Sequence, residues 1–189
     1  MKTIHYMNMD SPQGPLLLAA SDSGICGVYF EHHKHFKGSA GWQLNLQHPL
    51  LLQAARQLQD YFAGQRQDFD LSLDVSAGTA FQQAVWAGLR QIPFGMTASY
   101  GQLAQHIRQP AAVRAVGAAN GRNPISIIIP CHRVIASSGA LTGYAGGLEN
   151  KQALLALENG QAKHGQPKQG QPMAQHEQHS RNQSSLCFA

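Results

Sequence analysis

The chain has 189 residues, of which 43% are hydrophobic and 13% are charged, and its formal net charge is +4. Such a chain can bury a substantial core, which excludes a wholly disordered protein and predicts one large domain or two small ones. No apolar run reaches the ~18–20 residues of a membrane span, and the N-terminus lacks a signal-peptide pattern, so neither a membrane protein nor a secreted one is expected.

The first 75 residues combine strand and helix patterns. Residues 4–7, 16–20 and 24–30 are candidate strands, and residues 11–14, with the sequence Ser-Pro-Gln-Gly, are typical of a turn between the first two. Apolar residues at helical spacing predict a helix over residues 48–63. This segment is therefore expected to form a small sheet with a packed helix.

Residues 68–78 are predicted to be a linker, after which three helices follow. Thr79 with Gln82, and Ser99 with Gln102, have the spacing of capping boxes and predict helices to about residues 90 and 107. Pro110 then suits the first position of a third helix, over residues 111–120. Two short helices joined by a tight turn have the spacing of a helix-turn-helix, although many pairs that do not bind DNA share it.

The third of these helices is made almost entirely of small residues. Arg114 is its one long cation. The helix could therefore read few base edges, but it could approach a duplex closely, even in the ~6 Å wide minor groove. The alternative is a small-residue helix packed in a core, with Arg114 at the surface.

The positive charge is concentrated in this part of the chain. Residues 1–78 contain five Lys or Arg and seven Asp or Glu, whereas residues 79–148 contain five Arg and no acidic residue. A long stretch with only positive formal charge favours nucleic acid as the partner, although chance in a chain of low charge content gives the same pattern.

The last predicted helix, over residues 148–158, is followed by an abrupt change of composition. Residues 161–189 are rich in Gln, His, Gly and Ser, with little apolar content, and are expected to be disordered. We therefore expect three segments, namely residues 1–75, 76–160 and 161–189.

A cysteine and a histidine follow the buried apolar run of residues 127–129, which predicts strand or core. The sequence there is Pro130-Cys131-His132-Arg133-Val134. A thiol at the end of a rigid element, beside a base and an arginine, is where a reactive thiolate could be held, whereas an arbitrary cysteine is more often a buried structural residue. Cys26, Cys131 and Cys187 form no C-x-x-C pair, so neither disulfides nor a cysteine zinc site is indicated and a reducing cytoplasm is expected.

This motif is preceded by Asn123-Pro124 and followed by the sequence Gly-Tyr-Ala-Gly-Gly-Leu at Gly143–Leu148. Together these segments resemble the O6-alkylguanine-DNA alkyltransferases, in their bacterial stand-alone form. The resemblance covers about residues 79–158 and is looser over residues 1–75. It implies an α+β protein, with a small ribonuclease-H-like sheet domain followed by a helical, winged-helix-like DNA-binding domain that contains the helix-turn-helix.

The resemblance also implies roles for individual residues. Cys131 matches the alkyl acceptor, His132 the base that deprotonates it through a water, and Glu158 the carboxylate that orients that histidine. Adjacent helical side chains do not face each other, which agrees with a bridging water between Cys131 and His132. Asn123 matches the residue that supports the active-site turn, and Tyr100 a tyrosine that acts on the flipped base and protonates its ring N3.

Other matches concern DNA and the flipped base. Arg114 matches the finger that fills the gap left by the extruded nucleotide, on a helix whose small residues Ala112, Ala115 and Gly117 approach the DNA. The expected pocket is formed by Tyr144, the Ala145 backbone, and the carbonyl groups of Val134 and Cys131.

Two positions depart from some relatives. Ser126 replaces a proline and Ala145 replaces a serine, so a roomier pocket is expected and the range of alkyl groups stays open. Lys2 and Ser21 occupy two cysteine positions of the zinc site in the animal enzymes, so no metal is expected, and no cofactor.

The function implied is DNA repair by a monomer that binds double-stranded DNA, flips O6-alkylguanine, and also O4-alkylthymine, and transfers the alkyl group to its own cysteine once. One alternative is a relative that binds alkylated DNA without transfer, against which Cys131 itself argues. A cysteine hydrolase is a second alternative, although the adjacent Cys131-His132 pair fits it poorly.

Overall fold

The computed structural model describes residues 3–162. The predicted disordered tail, which includes Cys187, lies outside the described residues apart from residues 161–162, which end the last helix. Lys2 also lies outside them. None of the helices within residues 3–162 is long and apolar enough to cross a membrane.

The N-terminal half is a four-stranded sheet with one helix. Its strands are β1 (His5–Met9), β2 (Leu16–Ser21), β3 (Gly24–Phe30) and β4 (Gln43–Leu44), and the helix is α1 (Pro49–Phe62). The order is β3-β2-β1-β4, with β4 parallel to β1 and the other pairs antiparallel. The three longer strands and the helix confirm the sequence predictions, whereas β4 was not predicted because two residues give no periodic signal.

The C-terminal half is mainly helical. It contains α2 (Ala80–Leu89), α3 (Tyr100–His106), α4 (Val113–Gly121) and α5 (Leu148–Ala162). A two-stranded parallel sheet joins β5 (Ala98–Ser99) to β6 (Val134–Ile135). The expected α+β class, with a sheet domain followed by a helical one, is confirmed.

Both predicted capping boxes are present. At the start of α2, Thr79 Oγ1 accepts from the Gln82 N–H (3.3 Å) and Gln82 Oε1 accepts from the Thr79 N–H (2.9 Å). Ser99 and Gln102 make the same pair of bonds at 3.1 and 2.7 Å, so each helix satisfies two terminal donors with its own side chains.

Three local predictions differ from the structure. The helix predicted over residues 111–120 is a 3₁₀ turn at Pro110–Ala112 followed by α4. The apolar run of residues 127–129 is buried in the core, one of its two expected outcomes, but it forms a turn rather than a strand, and Ile127 has a φ of 70°. The last helix extends beyond residue 158 to Ala162.

The predicted linker is paired with the sheet rather than free. The Ile25 N–H donates to the Ser72 carbonyl, the Asp74 N–H donates to the Ile25 carbonyl, both at 2.8 Å, and Leu73 bridges to Ile25. A second bridge joins Val28 of β3 to Ile125. The linker and the segment that follows α4 are therefore both fixed to β3.

Candidate active site

Cys131 opens a short 3₁₀ turn, Cys131–Arg133, at the end of the buried turn. Its side chain is buried, and its Sγ accepts a hydrogen bond from Asn123 Nδ2 at 3.0 Å. Asn123 Nδ2 also donates to the Ile129 carbonyl (2.8 Å), while its Oδ1 accepts from the Ile125 N–H (3.0 Å). One buried amide thus clamps both ends of the turn and holds Ile127 in a backbone region that β-branched residues avoid.

His132 lies beside Cys131 but faces another partner. Its Nε2 is 2.8 Å from Glu158 Oε1, and both side chains are buried. An ionised carboxylate only accepts hydrogen bonds, so Nε2 bears the proton and Nδ1 presents a lone pair. Nδ1 is buried and has no hydrogen-bond partner among the described residues, so its lone pair is available to accept a proton or a hydrogen bond.

Glu158 is the hub of a buried network. Its carboxylate accepts from Arg133 through Nη2 (2.9 Å to Oε1) and Nε (2.9 Å to Oε2), from the Tyr61 hydroxyl (2.8 Å), and from the Gly95 N–H (3.1 Å). Burial alone would raise the pKa of Glu158, but its hydrogen bonds and charge interactions with His132 and Arg133 outweigh this and lower it to about 2. The carboxylate is therefore ionised at every physiological pH.

The Cys131 thiol and the neighbouring His132 imidazole are both neutral at rest. Burial raises the pKa of Cys131 to about 11, against the opposing hydrogen bond from Asn123 and the charge of Lys151. Burial also lowers the pKa of His132, although Glu158 acts in the opposite direction. The resting cysteine is thus a protonated thiol and not the held thiolate that its sequence context predicts, because the site is too dry for an unpaired anion.

Lys151 of α5 is a buried cation beside this cluster. Its Nζ donates to the carbonyls of Val134 (2.6 Å) and Thr142 (2.8 Å). Burial lowers its pKa to about 8, so it is mainly protonated at neutral pH, and its charge lowers the pKa of Cys131. Lys151 therefore ties the chain after Cys131 to the segment that precedes Tyr144.

Tyr144 and Ala145 form one side of the site. The Tyr144 ring lies edge-on to Phe30, with 6.1 Å between ring centroids, and Gly146 allows this approach because a Cβ there would lie 2.4 Å from the Phe30 ring. The Tyr144 hydroxyl is buried, and burial with the Cys131 charge raises its pKa well above its usual value. The Ala145 carbonyl accepts from the Lys34 N–H at 2.8 Å, so a loop of the sheet domain supports this wall.

Tyr100 is half-buried at the start of α3. A Cβ on Gly117 would lie 3.7 Å from the Tyr100 ring, so the ring packs directly on the small-residue face of α4. The Tyr100 hydroxyl donates to the Thr142 carbonyl at 3.4 Å, a long bond that is easily exchanged for another acceptor.

The outer face of α4 is exposed. Arg114 and Ala115 are exposed and Ala112 is half-buried, whereas Val116, Ala119 and Asn120 face the core. Arg114 therefore projects from a helix face that is otherwise made of small residues.

The structure joins Cys131, His132, Glu158 and Asn123 in one buried cluster, with Tyr144, Ala145 and Val134 around it. It places Arg114, Ala112 and Ala115 apart from this cluster, on the exposed face. Sequence reasoning missed Tyr61 and Lys151 and gave Arg133 no role. Arg133 could have been found from its place in the motif, whereas Tyr61 is 97 positions from Glu158 and leaves no sequence signal.

Comparison with known proteins accounts for nearly the whole described chain. Residues 4–75 match the ribonuclease-like domain of 6-O-methylguanine DNA methyltransferase, and residues 80–160 match the DNA binding domain of the same family. The chain belongs to the 6-O-methylguanine DNA methyltransferase family.

Individual relatives within this methyltransferase family agree. The methylated-DNA--protein-cysteine methyltransferase of Mycobacterium tuberculosis H37Rv is 48% identical over 159 residues, which cover 84% of this chain and 94% of the relative. That of Methanosarcina acetivorans is 47% identical over 82% of this chain and 98% of the relative. The crystal structure of Mycobacterium tuberculosis OGT in complex with DNA has a TM-score of 0.76 and 47% identity, and the match covers 83% of this chain and 94% of that one.

Lys151 gives a first prediction for this methyltransferase-family chain. Lys151→Met keeps the length of the side chain but removes the charge and both carbonyl bonds. We expect alkyl transfer to slow by roughly 10- to 100-fold, because the pKa of Cys131 rises further and the Tyr144 segment loses its tether. Stopped-flow transfer rates measure the effect.

Lys151→Arg is the matched control for this prediction, since it keeps the charge while changing the geometry of the donors. A Lys151→Met rate equal to that of the wild type would show that the ammonium group affects neither the thiol nor the pocket.

Proposed function

We propose that this protein repairs DNA by moving the alkyl group of O6-alkylguanine, and of O4-alkylthymine, onto Cys131 Sγ, once per molecule and without a cofactor. The observation that supports this most is the buried Cys131 thiol beside an imidazole whose Nε2 is bound to Glu158 and whose Nδ1 is unpartnered. We further propose that it acts as a monomer on double-stranded DNA in the cytoplasm.

The chemistry is a displacement at the alkyl carbon. The Cys131 proton passes through a water to His132 Nδ1, the sulfur forms a bond to the alkyl carbon, and the bond from that carbon to guanine O6 breaks. Glu158 stabilises the imidazolium that results, while Arg133 keeps the carboxylate ionised. The Tyr100 hydroxyl protonates guanine N3 as the base leaves, so that no base anion is released into a dry site. The His132 imidazolium releases the thiol proton to solvent and the Tyr100 phenolate takes one up, so both groups end neutral and the protons balance.

The pocket recognises the base through backbone groups. The carbonyls of Val134 and Cys131 accept from the exocyclic amine. The Val134 carbonyl accepts from Lys151 Nζ and has a second lone pair to offer. The Cys131 carbonyl accepts from the Val134 N–H and, at 3.5 Å, from Asn120 Nδ2, and the second of these bonds is long enough to be exchanged for the amine. Tyr144 and the Ala145 backbone form the opposite wall, and Asn123 keeps the sulfur and the turn in place during transfer.

Access to the base requires that it leave the duplex. The small residues Ala112, Ala115 and Gly117 allow α4 to lie close to the DNA, and Arg114 occupies the space of the extruded nucleotide. Tyr100, packed on Gly117, stands between this face and the pocket.

The main alternative is a protein that binds alkylated DNA without transfer, and the presence of Cys131 in its buried cluster argues against it. A cysteine hydrolase is disfavoured because His132 Nδ1 makes no hydrogen bond to Cys131 Sγ within the described residues, and Nε2 is engaged by Glu158.

One experiment separates these functions. The wild-type protein is mixed with an excess of a duplex that contains a single O6-methylguanine, digested, and analysed by mass spectrometry. We expect one methyl group on the peptide that contains Cys131 and unmodified guanine in the DNA. Tight binding of the lesion without a mass change would favour the binding protein instead.

Arg114 gives a second prediction. Arg114→Ala is expected to slow repair of duplex DNA by roughly 5- to 150-fold, which corresponds to the loss of about 1–3 kcal/mol that holds the extruded state. Free O6-benzylguanine needs no extrusion, so its reaction should barely change. The measurement is a set of second-order rates on duplex, single-stranded DNA and free base, and equal losses on all three would contradict the finger role.

A further inference from the structure

The exposed face of α4 continues past the end of the helix as a line of positive charge. Arg114, Ala118 and Arg122 are spaced four residues apart and are all exposed, so they lie along one side of the helix. Arg122 is the C-cap residue directly after α4 and lies about 12 Å along the axis from Arg114, at a rise of 1.5 Å per residue. Arg122 therefore marks the C-terminal limit of this face.

The loop that follows β3 meets this end of α4. The strand is joined to the residues just after Arg122, because the Val28 N–H donates to the Pro124 carbonyl (2.9 Å) and the Ser126 N–H donates to the Val28 carbonyl (3.1 Å). The chain turns outward beyond the end of β3, and Lys34 and His35, four and five residues after Phe30, are exposed. The loop and the helix end are thus brought together by the same strand pairing.

Two aromatic contacts hold this loop in one shape. Phe36 stacks on Tyr29 with 4.3 Å between ring centroids, and the buried His33 packs edge-on against the same ring at 5.2 Å. His33 Nδ1 accepts from the His35 N–H at 3.4 Å. Burial, with a smaller effect of His35, lowers the pKa of His33 to about 4, so this acceptor stays neutral and keeps its hydrogen bond at neutral pH.

The charges of the loop and of the helix end are close enough to affect each other. Burial first, and then the positive charges of Lys34 and Arg122, lower the pKa of His35. The pairing of β3 with the segment after Arg122, and the exposure of all three side chains, likewise place Lys34, His35 and Arg122 near one another at the surface. Like charges that are held together at a surface attract a polyanion, and a duplex presents one negative charge per about 1.7 Å of its axis.

We propose that Lys34, His35 and Arg122, here called the phosphate strip, contact the DNA backbone and extend the footprint of α4 onto the sheet domain. This inference rests on the proposed function, since it assumes that α4 lies against DNA. Lys34 and Arg122 neutralise phosphates, and neutral His35 donates a ring N–H to a phosphate oxygen. The strip reads no sequence, so it acts equally on damaged and undamaged duplexes.

The test measures binding of an undamaged duplex as a function of salt concentration. The double variant Lys34→Gln/Arg122→Gln removes two phosphate contacts, so the slope of log K against log salt should decrease in magnitude by about 2. Binding at 0.1 M salt should weaken by on the order of 10- to 60-fold. Lys34→Arg/Arg122→Lys keeps both charges and should keep the wild-type slope.

Arg56→Gln is the control for a general loss of charge, because Arg56 is an exposed cation on α1 outside the strip; it removes one charge, whereas the double variant removes two. An unchanged slope in the Gln double variant, or a change of slope no larger than twice that of Arg56→Gln, would overturn the phosphate strip. Melting temperatures within about 2 °C of the wild type show that the fold is kept. Because the duplex has no lesion, the salt dependence of binding does not depend on alkyl transfer. Alkyl transfer is tested separately, by the mass spectrum of the wild-type protein.

Discussion

Cys131→Ser is expected to abolish alkyl transfer, with a loss on the order of 10³-fold or more, while duplex binding changes by less than about twofold. Serine keeps the size of the side chain and its hydrogen bond with Asn123, but its hydroxyl is a far weaker acid and nucleophile than a thiol. The DNA-facing residues of α4 are untouched by the change. Transfer is measured with a radiolabelled methyl group on the lesion, and binding by fluorescence anisotropy.

Cys26→Ser is the control for this variant, because Cys26 lies on β3 and is the other cysteine among the described residues. It should transfer at the wild-type rate. Label that persists on the Cys131→Ser protein would show that another residue accepts the alkyl group, and the assignment of Cys131 would then be abandoned.

Glu158→Gln should have the second large effect, on both activity and stability. The imidazolium of His132 loses the carboxylate that stabilises it, so transfer should slow by on the order of 10²-fold or more. Arg133 then becomes a buried charge without a counterion, which typically costs about 3–5 kcal/mol of unfolding free energy. Denaturant unfolding and transfer rates at pH 7 measure the two losses.

The pH dependence of stability gives Glu158 a distinct signature. Its pKa is about 2 in the folded state and about 4.5 when unperturbed, so folding favours the ionised form. Its contribution, on the order of 3 kcal/mol, is present in full above pH 4.5 and is lost as the pH falls through 2. Urea unfolding from pH 7 to 2 should show this acid-induced loss in the wild type and a flatter profile in Glu158→Gln.

Glu149→Gln is the matched control, since Glu149 is an exposed carboxylate in the first turn of α5, the helix that bears Glu158. Its profile should follow that of the wild type. A Glu158→Gln profile as steep as the wild type would mean that other carboxylates dominate acid unfolding.

The elements of this protein could be predicted where the signal is local. Side chains at fixed spacing define the two capping boxes, and apolar alternation and periodicity define β2, β3 and α1. The turn of residues 125–130 could not be read in the same way, because three consecutive isoleucines are typical of a strand. Its shape depends on Asn123, which satisfies backbone groups at both ends of the turn.

The residues of the candidate site also differ in whether the sequence indicates them. The roles of Cys131, His132 and Glu158 are those that the resemblance to the alkyltransferases implies. The structure brings the three residues together, and their roles stay predictions. Tyr61 and Lys151 could not be found, because a tyrosine in α1 and a lysine in α5 are ordinary residues of an apolar or a solvated helix face. Only the packing of the two halves shows that Tyr61 meets Glu158 and that the Lys151 ammonium is buried.

The raised pKa of the Cys131 thiol also bears on selectivity in a cell. A protein that reacts once per molecule is lost whenever its sulfur meets an oxidant or a soluble electrophile before it meets a lesion. Peroxides and most such electrophiles react with the thiolate, which attacks them as the nucleophile, and they must be able to reach the sulfur. A protonated, buried thiol has little thiolate and little exposed sulfur. The burial that makes Cys131 a poor nucleophile at rest therefore keeps its single reaction for a base that has entered the pocket.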